Sequence, residues 1–429
     1  MKLMIFTPVI KTSAIARMAS LVIEKLIALG HEVIVVRSEN ERFHNQAMHN
    51  FGVEPISWND SAQINTLAST VDQIIYQIGD NFDFHQGCIL WLEQLSGVVC
   101  LHDFYLGNLF YLWGQTNRLK ARSILKTWYG PDAAKQFFTY KTSETLIAGT
   151  HEKYPMTEWI CSMADAVVTH SNWGIGRVLD SCPGPIRVVP LAYDAPQAKT
   201  VEYKPIKERL QILTVGNVNK NKRVESVIKA IGKNRELRKK TIYQLAGSIT
   251  PDMKSNLIKL AKKQKVNLII LGEVSDTVLV EAINQADIIT CFRWPALEAA
   301  SASTIEALLY GKPTMVTDTG FYSEIPDNYT IKINPKNEVV EIEVTLEEFI
   351  NDPQKFYHLY KEVQVWARAQ FSANNYALKL IETISTASKT SVVIDAIDYF
   401  SKIISNWGCQ RELLGKEFIL PPLNVLSEI

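Results

Sequence analysis

Glu298-Ala-Ala-Ser-Ala-Ser-Thr-Ile-Glu306-Ala-Leu-Leu-Tyr-Gly-Lys-Pro313 lies between two short apolar runs, Ala286-Asp-Ile-Ile-Thr-Cys291 and Pro313-Thr-Met-Val-Thr317. The runs read as buried strands of a parallel sheet, and the stretch between them as a loop entering a helix. A helix start made of small residues and hydroxyls presents free backbone N–H groups at the positive end of the helix dipole, which is a seat for phosphate. Glu298 before the turn and Glu306 one turn into the helix are then placed to grip hydroxyls on whatever carries that phosphate. The combination suits a nucleotide sugar, with its diphosphate in the middle, sugar on one side and ribose on the other. A plainer reading stands beside this one. Ser303-Thr-Ile-Glu306 also fits a capping box, with Ser303 as the cap and Glu306 reaching back to its N–H.

Working outward, short β-branched runs alternate with helical patterns. Leu3–Thr7, a helix near Ser13–Leu29 and Glu32–Arg37 form a β-α-β unit, with Gly30 at the helix end. Gln73–Gln77, Val98–Leu101, Ala166–Thr169 and Ile186–Val189 continue the first series. A second begins at Gln211–Val215 and runs through Thr241–Ala246, Asn267–Leu271, Ile288–Cys291, Thr314–Thr317 and Tyr329–Ile333. Between the series, Asp194 to Pro205 is polar and aperiodic and reads as a linker. The expected architecture is α/β, with two parallel-sheet domains (1–195 and 206–370) and helices over 371–429, broken by a turn at Gly408 and a Pro421-Pro422 tail. Ligands of doubly wound sheets bind at the carboxyl ends of strands, so two such domains face each other across a cleft built from strand-to-helix loops.

The 429 residues, 47% of them hydrophobic, can bury two cores, and zero net charge gives no global field for nucleic acid. The six cysteines are scattered without metal spacing, which reads as free thiols in a reducing cytoplasm. The N-terminus reads as a strand rather than a signal peptide, and no run is long enough to span a membrane.

Three loops of the expected cleft carry chemistry. Val215-Gly-Asn-Val-Asn-Lys-Asn-Lys-Arg-Val224 ends a strand at Gly216 and sets Lys220, Lys222 and Arg223 close together, enough to neutralise a leaving diphosphate without a metal. A solvated basic turn is its plainer reading. Val98-Val-Cys-Leu-His102-Asp103 ends a buried strand in two groups capable of acid–base work. Thr7 to Ala16 places small residues, Ser13 and Ala14 among them, opposite the phosphates. The stretch 104–128 is basic and aromatic and without an acid. It reads first as a core-facing helix with a solvated basic side, and second as a peripheral contact with an anionic membrane. No G-x-G-x-x-G follows a strand, no Walker A is present because Gly311-Lys312 meets Pro313, and neither H-E-x-x-H nor G-x-S-x-G occurs.

With these residues assembled, the chain resembles the family-4 retaining glycosyltransferases of GT-B fold over nearly its whole length. Glu298 to Pro313 looks like the family's E-x7-E signature, and Ala286-Asp287 and Thr319-Gly-Phe-Tyr-Ser-Glu324 fit around it. Tyr76-Gln-Ile-Gly79 and Val98–Asp103 resemble the bacterial cell-surface polysaccharide subgroup. Ala164-Asp-Ala-Val-Val-Thr-His-Ser171 and Val188-Val-Pro190 complete the first domain's pattern. The resemblance implies that Lys222 contacts the donor diphosphate with Gly216, Asn217 and Arg223 around it. It implies that Glu306 holds the ribose, that Glu298 lies beside the transferred sugar, and that His102 approaches from the opposite domain, with Asp103 on the acceptor side. Ser301, Ala302, Ser303 and Thr304 would meet sugar and phosphates. It further implies a metal-independent retaining hexosyltransferase, with no cofactor beyond the nucleotide-sugar substrate. A UDP-sugar is favoured, UDP-glucose first, with Ser248 or Glu273–Ser275 near the base. The acceptor would be a polysaccharide or lipid-linked oligosaccharide. The chain departs from the family at Asn217, where an arginine is usual and Arg223 is the nearby substitute, and at Ala14, Ala299 and Ser301, where glycines are usual. These departures keep two alternatives open: an inactive sugar-nucleotide-binding scaffold and an epimerase of the same fold.

Overall fold

The computed structural model describes residues 1–198 and 208–406. Part of the expected linker, the turn at Gly408 and the Pro421-Pro422 tail lie outside the described residues.

The first sheet has seven parallel strands: β1 (Lys2–Thr7), β2 (Glu32–Arg37), β3 (Ile56–Ser57), β4 (Gln73–Ile78), β5 (Val98–Leu101), β6 (Ala166–Thr169) and β7 (Ile186–Val188). Their spatial order is β3-β2-β1-β4-β5-β6-β7. The second has six: β8 (Leu210–Val215), β9 (Thr241–Ala246), β10 (Leu268–Gly272), β11 (Ile288–Cys291), β12 (Thr314–Thr317) and β13 (Ile331–Ile333), in the order β10-β9-β8-β11-β12-β13. Every pairing between these strands is parallel. Strands β5, β6, β11 and β12 are buried at each position, which is why they read as unbroken apolar runs rather than as alternating ones.

Strand order reverses between β1 and β4 in the first sheet and between β8 and β11 in the second. At such a reversal the following connections leave toward opposite faces and open a crevice at the carboxyl edge. The loops after β8 and β11 that stood out in the sequence flank the second crevice. The loops after β1 and β4 flank the first.

Three helices matter for the site. Helix α1 (Ala14–Ala28) is capped by Ser13, whose side chain accepts from the Ala16 N–H at 3.2 Å. Helix α2 (Ala302–Leu309) follows β11. Helix α3 (Ala373–Asn406) comes after the second sheet in the chain but packs against α1 and β6 of the first. One buried apolar cluster is continuous from Leu3 and Val22 through Tyr193 and Tyr376 to Ile305 and Leu308, so the two sheets share a core at this corner.

The stretch 104–128 forms core-facing helices. Tyr105, Phe110 and Trp113 are buried, Lys120 pairs with Glu93 at 2.8 Å, and Arg118 stacks over the Phe138 ring at 3.9 Å. Tyr111 and Trp128 are half-buried, and Leu112 and Leu119 are exposed on the outer side of these helices.

Candidate active site at the domain junction

The carboxyl edges of the two sheets meet. Residues 102–105 after β5 and 297–299 after β11 hydrogen-bond through their backbones: Phe104 N to Leu297 O at 2.9 Å, Tyr105 N to Leu297 O at 3.0 Å, and Ala299 N to His102 O at 2.8 Å. Asp103 and Glu298 form an isolated antiparallel bridge. This sets the first signature glutamate directly against the His102-Asp103 pair.

Glu298 is held from its own domain as well. Arg293 Nε lies 3.2 Å from its carboxylate, and the Tyr322 hydroxyl donates to it. Burial works against the Arg293 charge, but Glu298 opposite it keeps the guanidinium more firmly protonated than usual. Lys222 belongs to the same group. Gly216 turns the chain with φ +90°, where a Cβ would stand 2.7 Å from Lys222 Nζ, so the glycine makes room for the ammonium. The Lys222 amine is buried and donates to the Val215 carbonyl. Burial first, and the Arg293 cation second, push it down to about 7. A lysine so placed titrates close to neutral pH.

On the facing domain, His102 Nε2 lies 2.7 Å from Gln77 Oε1, which fixes the neutral ring with its proton on Nε2. Burial, then His170 with its ring centroid 4.7 Å away, holds His102 well below the usual histidine range. Asp103 is raised to about 7, by burial first and by Glu298 second, while its Oδ2 accepts the Asp80 N–H at 2.8 Å. Asp80 behind it is raised well above the carboxylate range, by burial and by Asp103, and accepts from Leu109 N and Asn108 Nδ2.

Glu306 sits apart from this centre. Its carboxylate, raised by burial, faces Arg17 of α1 at 3.6 Å. Arg17 also binds Asp194 at 3.1 Å and lies over the Tyr193 ring at 4.4 Å. The capping-box reading does not hold: Ser301 caps α2 and accepts from Thr304 N at 3.4 Å, so Glu306 is not engaged at the helix start. Ser303 lies 3.3 Å from the Ser301 hydroxyl and beside the Cys291 thiol, and Ala302 opens the helix.

The remaining expected residues fall as follows. Arg223 leaves the group: left-handed at φ +56°, it pairs with the buried Glu338 at 3.0 Å. Lys220 crosses the junction to Glu144. Asn217 accepts from Ser248 Oγ at 3.2 Å. Ser13 is spent on its cap, with Ala14 beside it. Arg293, Tyr322, Arg17, Gln77 and Asp80 were not singled out from the sequence. Arg293 carried one signal, a lone cation closing the apolar run of β11. Among the described residues no group of three or more His, Cys, Asp or Glu is arranged to hold a metal ion.

Residues 197–365 match the family model described as Glycosyl transferases group 1. No curated protein matches the chain by sequence. The structure of Anabaena HepE in complex with UDP and glucose aligns with a TM-score of 0.59 at 15% identity, covering 90% of this chain and 99% of that one. The fold is GT-B. Sucrose-phosphate synthase from Thermosynechococcus elongatus aligns at TM-score 0.60 and 12% identity over 89% of this chain and 97% of its own. WaaG, a glycosyltransferase involved in lipopolysaccharide biosynthesis, aligns at 0.54 and 16% over 92% and 99%. At these identities the likeness is one of GT-B architecture.

Proposed function

We propose that the protein is a retaining, metal-independent hexosyltransferase of the GT-B fold. It takes a sugar from a UDP-sugar, UDP-glucose being the first to try, and adds it to a polysaccharide or lipid-linked oligosaccharide. One observation carries this: the buried basic side chains of Lys222 and Arg293 and the carboxylate of Glu298 meet His102 and Asp103 of the other domain at a single seam. The glycosyl transferases group 1 match over 197–365 and the UDP in the Anabaena structure support the donor class.

In this reading Lys222 neutralises the diphosphate as it leaves, and α2 offers it the N–H groups of a helix start. Arg293 takes the part of the arginine missing at position 217 and also holds the Glu298 carboxylate in place beside the sugar hydroxyls. Glu306 exchanges Arg17 for the ribose. His102, kept neutral, meets the sugar without placing a second cation beside a carbon that gains positive charge. No carboxylate is given the nucleophile's part. The diphosphate oxygen helps to remove the acceptor proton on the face it leaves, which retains configuration. The gain is electrostatic and positional, and a metal is not needed for it.

Glu298→Gln keeps the shape of the site and removes the charge. Release of UDP from UDP-glucose should fall by about two to three orders of magnitude, the range for losing one preorganised electrostatic contact, with UDP affinity nearly unchanged. Undiminished turnover in the folded variant counts against the proposal. NMR of the products separates transfer from epimerisation, since an epimerase gives an altered nucleotide sugar with no acceptor present.

A further inference from the structure

Beyond the donor seam, an open pocket of about 420 Å³ lies at the outer edge of the junction. Its walls come from both domains, Phe104 and Trp173 from one and Trp294 and Ala296 from the other. The Phe104 and Trp173 ring centroids are 4.7 Å apart, and the indole of Trp294 is 44% exposed. Gly174, at φ +77°, lets the chain pass under Phe104, where a side chain would overlap that ring. Glu324 fixes Trp173 from the second domain by accepting its backbone N–H at 2.7 Å. Phe104 directly follows Asp103, and Ala296 precedes Glu298 by two residues, so the pocket backs onto the seam.

We propose that this pocket binds an uncharged pyranose unit of the acceptor glycan, a proposal that rests on the transferase reading above. Aromatic faces set beside hydrogen-bonding groups match a sugar ring, which has apolar C–H faces and a rim of hydroxyls. The rim here offers the Glu152 carboxylate as acceptor, with the His151 ring beside it. Glu152 is 82% exposed at its side chain. His151 Nδ1 is bonded to Ile147 O at 2.9 Å, and its Nε2 lies 3.7 Å from the Glu152 carboxylate. Arg177, the fixed cation among the lining residues, is spent on Glu158 at 2.7 Å and on the Glu152 carbonyl at 2.7 Å. A carboxylated or phosphorylated sugar would find Glu152 and no free guanidinium. A neutral sugar finds the exposed Glu152 carboxylate as acceptor for its hydroxyls. Because the walls belong to two domains, the pocket is complete only when the domains are closed.

The test uses the full chain with UDP present. Tryptophan fluorescence is followed during titration with maltose, cellobiose, chitobiose and a glucuronate-containing disaccharide, each to tens of millimolar. Calorimetry with UDP runs alongside on every variant. A saturable signal with at least one neutral disaccharide is expected. It should weaken about five- to tenfold in Trp294→Ala and Glu152→Ala, the worth of one ring face or one hydrogen bond, while UDP binding stays as in the wild type. The proposal falls if UDP binds but no neutral disaccharide does, if binding survives both substitutions, or if the acidic disaccharide binds best. Loss of UDP binding in the wild type would instead strike the donor reading, and a disaccharide signal sensitive to Trp294 would still support the pocket.

Discussion

Lys222 shows how one side chain can be poised by its surroundings. Burial and Arg293 bring its amine to about 7, so at pH 8 most of the unliganded protein holds it neutral. A diphosphate restores the reason to be charged. Binding of UDP-glucose, whose diphosphate has no group titrating at about pH 6, should therefore draw in close to one proton at pH 8, and below about pH 6, where the amine is already charged, almost none. Calorimetry in two buffers of different ionisation enthalpy measures this, and Lys222→Arg, charged throughout, should abolish the difference. The sign for stability agrees. The group's folded pKa is depressed, so below 7 its charge is carried at a cost to the folded state. That cost fades as pH rises from 7 toward the ordinary lysine value, because there the unfolded chain binds more protons than the folded one. At this scale the sequence was only partly legible. It placed Lys220, Lys222 and Arg223 in one loop, but which of them turns inward depends on Glu338 and Glu144, more than seventy residues away in either direction along the chain. Arg293 was hidden because its value depends on how the turn after β11 folds Glu298, five residues on, back onto it, and on the approach of Lys222 from the loop after β8.

Single elements were far more legible. β2, β5, β6, β9, β11 and β12 fall where the sequence placed them; of these β5, β6, β11 and β12 are buried at each position and are written as unbroken, mostly apolar runs. β3, only two residues long, offers too few positions for any period. The start of α2 shows where local pattern misleads. Two serines stand two residues apart, and the choice of Ser303 as the cap followed the acid three positions later. The structure uses Ser301, which frees Glu306 to face Arg17. Ser301→Ala should then cost about 1 kcal/mol in urea unfolding and Ser301→Gly only a few tenths. Ser303→Ala should be near neutral. The opposite ranking would return the cap to Ser303.

For the whole molecule, the sequence told of two parallel sheets with facing carboxyl edges, and the structure adds how firmly they are joined. Beyond the backbone bonds between 102–105 and 297–299, Glu324 accepts from Asn172 N, Trp173 N and the Asn172 amide, and Arg17 ties α1 to Glu306. The Lys220–Glu144 pair is exposed and contributes little. The clasp at Glu324 is charge-assisted and made largely to backbone, so it resists side-chain fluctuation. Glu324→Ala should open the cleft, seen as a larger radius of gyration in solution scattering, with closure recovered in part by UDP. Unchanged scattering would leave the shared core around Tyr193 and Tyr376 as the main tie between domains. None of these contacts carries a local sequence signature, since each joins residues from different domains.

The central claim is that the seam binds a nucleoside diphosphate through Lys222. Calorimetry with UDP, GDP, UDP-glucose and GDP-mannose, on wild type and on Lys222→Ala in parallel, tests it most directly. The account predicts selective binding of the uridine ligands, weakened at least tenfold by the substitution. Failure of all four to bind, or binding indifferent to Lys222, would contradict it.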